Sequence, residues 1–137
     1  MKKIVNSIIP FEGYVAMTFW PVVFVRRDEE EKFDKVAENH ENIHAEQQKE
    51  MLMIGMVLSG LLLIITASWW SLLLLPVYFW WYVIEWLLRS MFGTGNAYRN
   101  IAFEREAYAN EKDFTYIGRR KWLAWVEYMI EGEKVRR

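Results

Sequence analysis

The sequence predicts a mainly α-helical protein with a short N-terminal β-hairpin, two polar helices and a central apolar helical hairpin. Three observations lead there. Residues 11–27 are rich in aromatic and β-branched side chains, with Trp20-Pro21 in their middle. Met51 to Ile84 is a stretch of 34 residues without a single charge. Polar segments of helical character precede and follow that stretch, over 34–50 and 97–113. At 137 residues the chain corresponds to one domain.

In residues 11–27, Tyr14, Val15, Met17, Thr18 and Phe19 form one run and Val22, Val23, Phe24 and Val25 another. Branched and aromatic side chains favour the pleated backbone, and proline is tolerated at a strand edge or start, so a hairpin divided at Pro21 is expected. The charged run 28–35 reads as a linker or first helical turn. From about Asp34 the pattern is helical and continues through Glu50 into the charge-free stretch. One unbroken helix over those 34 residues would extend about 50 Å, against a bilayer hydrocarbon core of about 30 Å. A break is therefore expected, at Ser68-Trp69-Trp70-Ser71 or at Pro76, which makes 51–84 a helical hairpin. Leu61-Leu62-Leu63-Ile64-Ile65 and Leu72 to Leu75 show no polar face, which points to membrane lipid as a partner, the alternative being a soluble protein whose two central helices are buried all round. Glu85 and Arg89 then form an i,i+4 pair, Gly93 to Asn96 make a loop, and the second polar helix spans 97–113. Trp122, Trp125, Val126, Met129 and Ile130 recur at helical spacing, predicting an amphipathic helix over 121–134.

The composition narrows the function classes. Seventeen basic and eighteen acidic residues give a net charge of −1, with no basic stripe for nucleic acid, so no nucleic-acid partner is expected. The absence of cysteine rules out disulfides and thiolate metal sites, which leaves histidine and carboxylate as ligands. The basic start is interrupted by Asn6, Pro10 and Glu12, so no signal-peptide apolar region is expected.

His40-Glu41-Asn42-Ile43-His44 fits H-E-x-x-H, and these are the only two histidines of the chain. Residues i and i+4 lie one turn apart on one helix face, so two imidazoles can chelate one Zn2+. A glutamate directly after the first histidine sits beside that pair. It can take a proton from a metal-activated water without being a ligand, which makes Glu41 the candidate catalytic base. The extended form of the motif places a glycine three residues after the second histidine, but here that position is Gln47, so the third ligand should come from elsewhere.

These residues resemble gluzincin metallopeptidases, zincins whose third ligand is a glutamate on a second helix, including membrane prenyl-protein endopeptidases and sensor-transducer peptidases. The resemblance covers two helices, about a third of the chain. It implies a zincin-like helix pair and directs attention to Phe103-Glu104-Arg105-Glu106-Ala107-Tyr108. Glu104 is the preferred metal ligand, because Glu-Arg-Glu-Ala resembles the Glu-x-Glu-Ala-Asp of the integral-membrane members, and Glu106 is the alternative. The two lie on opposite helix faces, so only one can serve. The chain is also similar to a family of small uncharacterised bacterial proteins sharing Ile9-Pro10-Phe11-x-Gly13, Asn39-His40-Glu41-x-Ile43-His44-x-x-Gln47-Gln48 and Phe103 to Tyr108. The aspartate usual after such a ligand is replaced by Tyr108 or Asn110. A group to stabilise the transition state would have to be Tyr98, Arg99 or Tyr108.

Three functions follow as expectations. The first is a membrane-associated zinc metallopeptidase acting on a peptide or protein substrate aligned by the strands of 14–25. The second is a non-catalytic zinc-binding structural or interaction protein of the membrane. The third is a structural membrane protein without metal. Seven Lys and Arg residues precede Met51 and ten follow Ile84, so neither flank of the hairpin is depleted of positive charge. Positive flanks stay cytoplasmic, which predicts two crossings with both termini and the metal site at the cytoplasmic face. Reporter fusions should place both termini on that side, and fusions reporting opposite sides would exclude the hairpin topology.

Overall fold

The computed structural model describes residues 1–93 and 95–130, without the side chain of Ile130. Its order is β1 (Lys2–Asn6), β2 (Ala16–Phe19), β3 (Val22–Arg26), a 3₁₀ segment (Arg27–Lys32), α1 (Lys35–Thr66), a second 3₁₀ segment (Trp69–Leu74), α2 (Val77–Phe92), α3 (Ala102–Asn110), α4 (Tyr116–Arg119) and α5 (Trp125–Ile130). The expected hairpin is present as β2 and β3, antiparallel with Thr18 opposite Val23. It is joined by a strand the sequence reading missed: β1 pairs parallel to β3, with Ile4 opposite Phe24, giving the sheet order β1-β3-β2. Trp20-Pro21 forms the connection between β2 and β3, and the Pro21 carbonyl accepts the Lys2 N–H.

The polar helix and the first apolar arm are one helix of 32 residues. Asp34 starts it by accepting the Val36 and Ala37 N–H groups, both at 2.9 Å, in the manner of an N-cap. α1 ends at Thr66 with Ala67 in the left-handed region, just before the expected break, and Pro76 forms the N-cap of α2. The Trp69–Leu74 segment folds back onto α1, where Ser59 Oγ donates to the Ser71 carbonyl at 2.9 Å. A Cβ on Gly55 would lie 2.6 Å from the Leu75 carbonyl oxygen, so this close approach requires glycine. The two arms contain 16 residues each (51–66 and 77–92), about 24 Å of helix. Among the described residues, α1 alone is long and apolar enough to cross a membrane, and 22% of its most apolar window is buried. Ile64, Ile65, Trp69 and Trp70 are almost fully exposed on this hairpin.

Two expected helices change in extent. The second polar helix covers 102–110 rather than 97–113, because Asn96 accepts the Arg99 N–H and its carbonyl the Asn100 N–H, closing a turn ahead of it. Asp113 likewise closes a turn after it, accepting from the Thr115 N–H and hydroxyl. The C-terminal helix begins at Trp125 rather than 121, since Leu123 is left-handed and its N–H donates to Glu50 at 3.0 Å. Thr94 of the expected loop and residues 131–134 of the expected helix lie outside the described residues.

The core lies where α1, α2, α3 and α5 meet. Phe103, Ile101 and Ala102 of α3 and its cap are fully buried, with Tyr78 stacked on Phe103 at 4.5 Å and Trp125 at 4.8 Å from it. Glu85 of α2 accepts the Ala102 N–H at 3.1 Å, so a carboxylate caps the positive end of α3 from outside. Beside this core the buried side chain of Arg120 joins Glu50 of α1 and Glu106 of α3, each at 3.1 Å from Nη2. Removing the cation strands two buried carboxylates. Arg120→Met should therefore cost about 3–5 kcal/mol in denaturant unfolding. Adding Glu50→Gln and Glu106→Gln should recover part of that loss.

Candidate metal centre

His40 and His44 project from consecutive turns of α1, and α3 crosses that face. This brings Glu104 against both imidazoles. His40 Nε2 and His44 Nε2 are 3.1 Å apart. Glu104 Oε1 is 3.4 Å from His44 Nε2, and Oε2 is 3.5 Å from His40 Nε2. All three residues are buried, and one ligand atom from each lies within 4.8 Å of the others. Ligands of a tetrahedral zinc at 2.0–2.1 Å are separated by about 3.3 Å along each edge of the tetrahedron, close to these three distances.

Hydrogen bonding decides which imidazole nitrogens face the centre. The Gln47 amide nitrogen donates to the Phe103 carbonyl and to Glu106 Oε2, both at 3.0 Å, and neither partner can donate. Its amide oxygen is thereby turned to His44 Nδ1 at 2.8 Å, which must be the donor. Glu111 Oε2 holds His40 Nδ1 in the same way at 3.0 Å. With both protons on Nδ1, both Nε2 lone pairs point at the same spot. Two lone pairs at 3.1 Å beside a carboxylate repel one another unless a cation lies between them. Glu104 Oε2 is also buried without a hydrogen-bond partner. The residues present therefore fit a divalent metal ion.

The electrostatics agree. Burial opposes a charged imidazole at His44, but Glu104, aided by Glu41 and Gln47, outweighs it and holds His44 up to about 9. Burial likewise opposes ionisation of Glu104, yet His44 and His40 keep its carboxyl well below the usual range. The centre thus favours a positive charge at the Nε2 position, a proton in the metal-free chain or a metal in its place.

Glu106, the alternative ligand, faces away from the histidines. It accepts from Arg120, Gln47 and Tyr116. Glu41 lies beside the histidines in the floor of a cavity of about 380 Å³ that Glu104 and His44 also line. Thr18 Oγ1 donates to Glu41 Oε2 at 2.7 Å, engaging one of its two oxygens. Of the three groups considered for transition-state stabilisation, only Tyr98 lines the cavity. Burial and Glu104 push its phenol well above its ordinary range, which keeps it a proton donor at neutral pH. Tyr108 instead packs edge-on against His40, with the Arg99 guanidinium over its ring. Tyr14, Tyr78 and Tyr82 also line the cavity, and Tyr82 donates to Glu104 Oε1 at 3.0 Å.

β2 borders the cavity as an edge strand. The Arg26 N–H bonds the Val15 carbonyl, so odd-numbered residues face β3 and Ala16 and Thr18 face outward. Gln48 already fills part of that edge, donating to the Thr18 carbonyl at 2.7 Å and accepting the Trp20 N–H at 2.8 Å. The strand available for substrate is accordingly shorter than 14–25.

Sequence reasoning missed Gln47 and Glu111 as the groups orienting the histidines. Glu111 lies seven residues after Glu104, two helical turns on, and helical spacing alone places it on the same face. Gln47 lies seven residues after His40 and three after His44, so helical spacing places it on the histidine face too, but nothing local marks the partners it meets on α3. No known protein family, curated protein or solved structure matches this chain.

Purified protein reconstituted with zinc should carry about one ion per chain by elemental analysis. His40→Ala, His44→Ala and Glu104→Ala should each abolish this. Gln47→Leu should weaken zinc affinity about 10–100-fold, the usual effect of losing a group that orients a ligand. Zinc retained by Glu104→Ala but lost by Glu106→Ala would overturn the assignment of α3.

Proposed function

We propose that this protein is a membrane-associated, zinc-dependent metallopeptidase of the gluzincin kind. The observation that carries the reading is that His40, His44 and Glu104 converge on one point, and that His44 and Glu104 line the floor of one cavity together with Glu41. His40 and His44 would hold zinc through Nε2 and Glu104 through its carboxylate, three protein ligands being the usual number for a catalytic zinc. Bound zinc supplies a Lewis acid that activates water and polarises a carbonyl. Glu41 accepts the proton of the attacking water and returns it to the departing amine, so that the peptide C–N bond is replaced by a carboxylate and an amine. Thr18 holds the Glu41 carboxylate in place. Tyr98 donates to the oxygen on which negative charge develops. The outer edge of β2 at Ala16, ahead of the part that Gln48 fills, pairs with substrate backbone.

Membrane association is supported by the hairpin of α1 and α2. A helix at the core of a soluble protein buries most of its side chains, whereas the apolar window of α1 leaves most of its surface uncovered. Tryptophans 69 and 70 at the tip suit the far headgroup layer. The metal site stands at the base of the hairpin, at the cytoplasmic face.

Glu41→Gln should keep the metal and lower peptide hydrolysis about 10²–10⁴-fold, the range for losing a general base. The readout is turnover of a peptide mixture by the zinc-loaded chain in phospholipid nanodiscs, analysed by mass spectrometry. Unchanged turnover in the variant, or none in the wild type, would leave the zinc as a staple between α1 and α3.

A further inference from the structure

The cavity over the metal centre has two unlike ends. Its floor is polar and buried, formed by Glu41, His44 and Glu104. Its rim is apolar and exposed: Phe11 is 76% exposed, Phe19 50%, Val83 48% and Trp86 43%. Phe19 stacks on Phe79 at 4.4 Å, which makes one wall a continuous aromatic surface. No Lys or Arg among the described residues lines the cavity, and its two carboxylates both lie at the floor. Val83 and Trp86 belong at once to the rim and to the exposed apolar face of α2, so the cavity is continuous with the surface proposed to contact lipid.

We infer that the cavity selects a peptide segment by one bulky, uncharged apolar side chain, presented from the membrane-facing flank of α2 with its backbone toward Glu41 and the histidines. This rests on the peptidase reading and names its substrate class. Three features commit the site to that occupant. A volume of about 380 Å³ lies at the low end of ligand sites, roughly 300–1,000 Å³, and suits one large side chain with its adjoining backbone rather than a folded surface. An acidic side chain held at the rim would be desolvated against Phe19, Phe79, Val83 and Trp86, with no Lys or Arg among the lining residues to pair it. A lysine or arginine held at the rim would be desolvated against the same aromatic wall, with both carboxylates of the cavity beyond it at the floor. An apolar side chain meets no such penalty and gains the burial of its own surface.

The test uses the zinc-loaded full chain in phospholipid nanodiscs, with Glu41→Gln as a binding trap. The probes are dansyl-labelled decapeptides identical except for one central residue, Phe, Leu, Ala, Asp or Lys. Energy transfer from the protein's tryptophans to dansyl reports binding. The Phe and Leu peptides should bind at least about ten-fold more tightly than the Asp and Lys peptides. Val83→Trp, which fills the rim without touching the metal centre, should remove that preference and leave zinc content unchanged. Equal binding of all five peptides overturns the inference. So does a preference that survives Val83→Trp, since it would then arise from partitioning into lipid. Wild-type protein that shows the preference but cleaves none of the peptides leaves the selectivity intact and overturns the peptidase reading instead.

Discussion

The Gln47 side chain is the contact on which the centre depends. α1 and α3 meet across a layer containing four carboxylates, two imidazoles and a guanidinium, all withdrawn from water. Such a layer is tolerated only if its polar atoms are paired with one another or with a bound cation, because an unpaired buried charge costs several kcal/mol. The Gln47 amide satisfies three partners at once: the Phe103 carbonyl, Glu106 and His44. Two of these can only accept, so the amide has one orientation. That orientation in turn fixes the proton of His44 on Nδ1 and leaves Nε2 to the centre.

From there the layer divides into two halves with different tasks. On one side Glu106 and Glu50 share Arg120, an internal counter-charge that ties the chain beyond α4 to α1 and α3. On the other side Glu104 meets two imidazoles and the hydroxyls of Tyr82 and Tyr98, and its Oε2 has no hydrogen-bond partner. Alternate glutamates on one short helix are thereby separated by function. One closes a structural network, and the other remains available to a ligand.

The continuity of α1 joins this centre to the apolar hairpin. The same helix carries His40 and His44 near its start and the exposed aliphatic run near its end, with no loop between them to absorb movement. Under the membrane reading, the lipid-facing surface and the metal site keep a fixed separation along the helix axis. The Trp69–Leu74 segment is held against α1 by the glycine at 55 and the Ser59–Ser71 hydrogen bond, so the tip of the hairpin is also tied to that axis.

Much of this was legible in the sequence because it depends on periodicity. The i,i+4 spacing of the histidines, the opposite faces of Glu104 and Glu106, the aromatic hairpin around Trp20-Pro21 and the charge-free stretch all follow from the regular geometry of one element at a time. The sequence by itself determined which residues could share a helix face and where a long apolar run had to turn. Tertiary structure decided what lay opposite those faces. β1 joins the sheet through a parallel partner some twenty residues away, a pairing that leaves no local pattern in Lys-Lys-Ile-Val-Asn. Arg120 neutralises Glu50 across seventy residues. Gln47 reads as an ordinary polar helical residue until Phe103 and Glu106 are placed against it. The physical reason is the same in each case: a backbone pattern reports the periodicity of its own element, whereas the pairing of a buried charge depends on which other element packs against it.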